Sequence, residues 1–111
     1  MPNKIDKIIK QFIKEISNLL GARLKKVILY GSYARGDYDN NSDIDIMILT
    51  DLTDSEIIDY RMKVRELACD LELDNDIIIS PLLRNIDQYN ARTEIIPFYN
   101  NIQKEGVVLH G

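Results

Sequence analysis

The sequence predicts an α/β domain: an α+β two-layer architecture in which a small mixed β-sheet is packed with α-helices. Three observations predict it. Amphipathic stripes at helical spacing alternate along the chain with short β-branched apolar runs. The 111 residues form one domain, with no linker, repeat or low-complexity stretch inside residues 1–111. Hydrophobic residues are 45% and charged residues 29%, the profile of a chain with one core.

The first helix is read over Ile5 to Leu20. Ile5, Ile8, Ile9, Phe12, Ile13, Ile16, Leu19 and Leu20 make its stripe, and Gly21 stops it. Lys26 to Tyr30 (KVILY) is a buried strand broken by Gly31-Ser32. Tyr33-Ala34-Arg35 forms a helical turn, and Gly36 to Ser42 is loop by composition. Asp43 to Leu49 (DIDIMIL) is a second strand, with Asp43 and Asp45 on one face and Ile44 and Ile46 on the other. Thr53 and Glu56 form a capping box, starting a helix that runs to about Leu73. Asp76 to Ser80 (DIIIS) is a third strand closed by Pro81. After a polar stretch, a last helix spans about Thr93 to Glu105. Gly106 ends it, and Val107 to Leu109 pack back as an extended tail.

Composition removes several chemistries. One cysteine, Cys69, forms no internal disulfide and no thiolate zinc site, and reads as a small apolar residue on a helix. One histidine, His110, leaves no Ser-His-Asp or multi-histidine site within the chain. No apolar run reaches the roughly 18 residues of a membrane span, and the charged, amphipathic start is not a secretory signal. A cytoplasmic protein is expected. Eighteen acidic against 14 basic residues give a net charge of -4, which argues against duplex nucleic acid binding.

The chemistry concentrates in Gly31 to Asp45, GSYARGDYDNNSDID. Residues two apart on a strand point the same way, so Asp43 and Asp45 lie roughly 6.5 Å apart on one face. Like charges that close repel unless a cation or proton intervenes. Oxygen-only ligands suit Mg²⁺ or Mn²⁺ together with substrate phosphates. Gly31 lets backbone approach a ligand, and the turn's N–H groups with the Ser32 hydroxyl can hold phosphate oxygens. Arg35, one turn on, adds a cation. A phosphate cradle facing a carboxylate pair suits nucleotidyl transfer with two metal ions.

Two local alternatives compete. Asp37, Asp39, Asn41 and Asp43 imitate a calcium loop. With Asp37 as position one, however, Ser42 stands at the glycine position and Ile48 at the glutamate position. Tyr33 and Tyr38 flank the cradle and read equally as base-stacking or ordinary surface residues. Arg61, Lys63 and Arg65 read as a solvated helix face. Phe98 and Tyr99 read as core, with a partner helix as the alternative.

Gly31-Ser32, ten residues, then Asp43-Ile44-Asp45 resembles the Gly-Ser-x10-Asp-x-Asp signature of the DNA-polymerase-beta-like nucleotidyltransferases. Ala34-Arg35-Gly36, the length and the element order are similar to the minimal nucleotidyltransferases, over essentially the whole chain. The resemblance implies the nucleotidyltransferase fold. It implies a third carboxylate from a later strand that completes the metal site and takes the acceptor proton. Asp76 is preferred there to Asp74, two residues earlier. It further implies AMP transfer from ATP to a tyrosine of a partner HEPN-domain RNase toxin, so that the chain acts as antitoxin. Neutralisation by complex formation, and transfer to a small molecule or an RNA end, are the rival readings. A site built on one small sheet is open on one side, which calls for a partner protein or a second copy of this chain.

Overall fold

The computed structural model describes residues 2–111. Helix α1 (Asn3–Leu20) buries Ile5, Ile8, Ile9, Phe12, Ile16 and Leu20, the stripe its sequence predicts. A 3-10 turn (Gly21–Arg23) leads into strand β1 (Leu24–Tyr30). Helix α2 is the single turn Ser32–Arg35, and strand β2 spans Ile44–Thr50. Helix α3 (Asp54–Asn75) starts at the Thr53–Glu56 capping box, both hydrogen bonds of which are present. Strand β3 is Ile79–Asn85, helix α4 Ile86–Arg92, helix α5 Pro97–Glu105 and strand β4 Val107–His110.

The sheet order is β3-β2-β1-β4. β1 runs antiparallel to both β2 and β4, and β2 runs parallel to β3. The sheet is therefore mixed, because the α3 crossover returns the chain in the same direction while the short α2 loop reverses it. One face carries Val27, Leu29, Ile44, Ile46 and Ile48 against α1 and α3, which is the main core. The opposite face carries Ile28, Met47 and Leu49 against Tyr89 of α4 and Ile102 of α5, a smaller second cluster. β2 is central and buried on both faces, so its second half reads as a continuous apolar run rather than an alternation.

The largest departures from the sequence reading come after α3. The third strand does not begin at Asp76 or close at Pro81; it starts at Ile79 and continues through Pro81 to Asn85. Proline is tolerated there because β3 is an edge strand, where a missing N–H breaks no ladder bond. The stretch read as polar loop contains α4, whose cap is Asn85 accepting from Gln88 N. The last helix is shorter than read: it begins at Pro97 as its first residue, where proline's fixed φ suits a helix start. The extended tail pairs with β1 as a fourth strand. Cys69 lies on a helix as read, exposed on α3.

Candidate active site

β1 delivers the chain to Gly31, which has φ 75 and ψ -156, and α2 begins at the next residue. A Cβ at Gly31 would overlap Asp45 Oδ2 and stand 3.1 Å from its Cγ. Only glycine meets both demands, the positive φ and the close approach to a carboxylate. Gly31 O accepts from Ala34 N and Arg35 N, which leaves the Ser32 and Tyr33 amides as the leading donors of the turn. Gly36, at φ 86, ends the turn.

Asp45 lies opposite Tyr30 on β1 and Ser80 on β3. Strand alternation puts its carboxylate on the face of Met47 and Leu49, beneath the smaller helical layer. Gly31, Ser32, Arg35 and Asp45 line one cleft of about 350 Å³, closed on its far side by Phe98, Asn101 and Glu105 of α5. Burial pushes the Asp45 carboxyl up from its ordinary value, the nearby Asp43 charge pushes it further, and Arg35 opposes both. Burial, with the Asp45 charge second, pushes the Tyr30 phenol up to about 12. Arg35 Nε bonds Asp37 Oδ2 at 3.1 Å, and its Nη1 stands 3.5 Å from Glu105 Oε2.

Of the six residues singled out by sequence, four share that cleft. Asp43 reaches Asp45 electrostatically but lines a neighbouring cleft of about 610 Å³, beside Asp39 and the stacked rings of Tyr33 and Tyr38. Asp76 lines this second cleft and not the first. It is the exposed C-cap of α3 in the left-handed conformation, φ 51 and ψ 49, rather than the first residue of a strand. Asp74 is exposed within the last turn of α3. Among the described residues no group of three acidic, histidine or cysteine side chains is gathered for a metal ion. The strand position facing Asp45 belongs to Ser80. Asn101 and Glu105 escaped the sequence reading because they reach Asp45 only through the return of α5 and β4.

Residues 9–106 match the family model described as a nucleotidyltransferase domain. The chain belongs to the nucleotidyltransferases. Two proteins of Methanocaldococcus jannaschii, whose names place them among the protein adenylyltransferases, are similar to it. One is 44% identical over 80 residues, covering 72% of this chain and 79% of the relative. The other is 35% identical over 105 residues, covering 95% and 97%. A crystal structure of a toxin–antitoxin with AMP-PNP shares the fold, with a TM-score of 0.58 at 21% identity over 99% of this chain and 74% of that one. This nucleotidyltransferase is therefore an enzyme that handles a nucleotide, and the Gly31–Asp45 cleft is its candidate site. Asp43 and Asp45 offer only oxygen donors, and burial and the Asp43 charge, opposed by Arg35, disfavour the Asp45 carboxylate, which fits a hard divalent cation.

Proposed function

We propose that the chain transfers AMP from ATP to a tyrosine hydroxyl of a partner HEPN toxin, with Mg²⁺, and so acts as an antitoxin. One observation carries the reading: Gly31 abuts the Asp45 carboxylate so closely that the start of α2 and Asp45 address the same ligand. Ser32 and the leading amides of α2 hold triphosphate oxygens. Arg35 adds positive charge once the phosphates displace Asp37 and Glu105 from it. Asp43 and Asp45 hold Mg²⁺, which when bound polarises the phosphorus under attack and steadies the leaving pyrophosphate. The acceptor tyrosine comes from another chain, because the cleft is shallow and open. Names of the two archaeal relatives, and the toxin–antitoxin structure with AMP-PNP, support the donor and the partner class.

Asp76, which lines the second cleft with Asp43, would take the acceptor proton. The lack of a three-carboxylate group among the described residues favours a second reading, neutralisation by complex formation alone. Intact-mass spectrometry separates the two. A HEPN-domain protein is incubated with this chain, ATP and Mg²⁺. Added AMP mass, lost in Asp43→Asn, supports transfer. A stable complex with no added mass, still formed by Asp43→Asn, supports binding alone.

A further inference from the structure

Helix α3 presents two apolar faces. Ile57, Val64 and Ala68 are buried against the sheet. Ile58 and Met62, one turn apart, point away from that core and are each 65% exposed. They form one wall of a groove of about 650 Å³ whose other wall is Pro81 and Leu82 of β3. An amphipathic helix needs only one apolar face to join its core, so the second is unexplained by folding.

The groove is positively charged in a chain of net charge -4. Arg61 and Arg65 border it from α3 and Arg84 from β3, and no carboxylate lines it. Among the described residues, Arg61 and Arg84 make no ion pair. Arg65 alone is neutralised, by Glu72. Asp54 lines the adjoining cleft past Arg61, where it accepts from Gln88.

The backbone along this edge is closed to an added strand. Ile44 N bonds Ile78 O on the inner side, so alternation turns the polar groups of Ile79, Pro81 and Leu83 outward. Ile79 N donates to Glu72 and its carbonyl accepts from Arg65. Pro81 has no N–H, and Leu83 O accepts from Arg84. These are the devices that block edge-to-edge pairing. An occupant must therefore bind by side chains. A second copy in two-fold contact would set these arginines against their own equivalents.

We propose that this groove docks an acidic amphipathic helix of a protein partner. Apolar side chains one turn apart on that helix seat between Met62 and Pro81, and flanking carboxylates meet Arg61 and Arg84.

The test uses the full chain, nitrogen-labelled, titrated with two model helical peptides of about five turns. One carries a leucine stripe flanked by glutamates, the other the same stripe flanked by lysines. The glutamate peptide is expected to saturate, shifting the amides of Ile58, Met62 and Leu82, and to bind at least about tenfold tighter than the lysine peptide. Arg61→Glu and Met62→Glu should each weaken it by about tenfold or more while the remaining amide pattern persists. Arg84→Glu serves in their place should either disturb the fold. Equal binding of the two peptides, shifts on another surface, or no saturation at millimolar peptide would overturn the proposal. So would groove signals that move with protein concentration alone, which would give the surface to a second copy.

Discussion

Gly31 and Asp45 are neighbours that constrain each other. Gly31→Ala forces a Cβ into the Asp45 carboxylate at a positive φ, and should cost roughly 2–4 kcal/mol together with nucleotide affinity. Gly36→Ala shares the positive φ but meets open space, so it should cost only about 1 kcal/mol. Chemical denaturation of both variants, with nucleotide titration, checks the contrast. Asp45 has the opposite character. Its carboxyl titrates above its ordinary value in the folded chain, because burial and Asp43 disfavour the charge. A raised carboxyl gives its full contribution below the unfolded value and loses it as pH rises through the folded one. Asp45→Asn should therefore raise the melting temperature of the metal-free protein at neutral pH. The gain should vanish in acid, where both forms are neutral. A melting series across pH reads this directly, and a lower melting temperature at neutral pH would contradict it.

At the scale of elements, the start of α3 is held by more than its cap. Thr53 Oγ1 accepts from Glu56 N, Glu56 Oε1 accepts from Thr53 N, and Arg23 bonds both Glu56 and Asp51. Thr53→Ala should cost about 1 kcal/mol in denaturant titration. The Arg23 guanidinium, with the Thr53 amide second, holds the Glu56 carboxyl down at about 2, against 4.5 ordinarily. A depressed carboxylate stabilises above its unfolded value and stops doing so as pH falls through the folded one. The cluster should thus weaken between about pH 4.5 and about pH 2. Glu56→Gln should flatten stability across that window, and added salt should mimic part of the effect because the groups are exposed. Glu56 was legible in the sequence as a capping residue. Its pairing with Arg23 was not, since 33 residues separate them and only the α1-to-β1 return brings Arg23 alongside.

For the whole molecule, one sheet divides two cores of unequal weight. Phe12 is fully buried in the larger, so Phe12→Ala should cost about 3–5 kcal/mol, a large part of a small domain's stability. A correspondingly lower urea midpoint with an unchanged slope is the expected result. The smaller core seats α5 over the Asp45 face, through Met47, Leu49, Tyr89 and Ile102. Ile102→Ala should therefore loosen the α5 wall of the cleft and weaken nucleotide binding more than it lowers global stability. Parallel nucleotide titration and thermal melting of that variant test it.

Sequence alone determined the elements whose signals are local. The α1 stripe and the Thr53–Glu56 box lie within a few residues of their partners, and one ten-residue loop joins the Gly31-Ser32 turn to Asp43 and Asp45. Periodicity and spacing therefore report them directly. Tertiary structure decided what depends on partners far along the chain. It made β3 an edge strand, which is why Pro81 sits inside it rather than closing it. It made Asp76 a helix cap turned to the second cleft, because α3 runs on to Asn75 before the chain can extend. It placed Ser80 across from Asp45, and Asn101 and Glu105 above it, through a parallel register and a β4 return that no local pattern encodes. Local propensity depends on neighbours in sequence, whereas strand order and register depend on which distant surfaces bury each other.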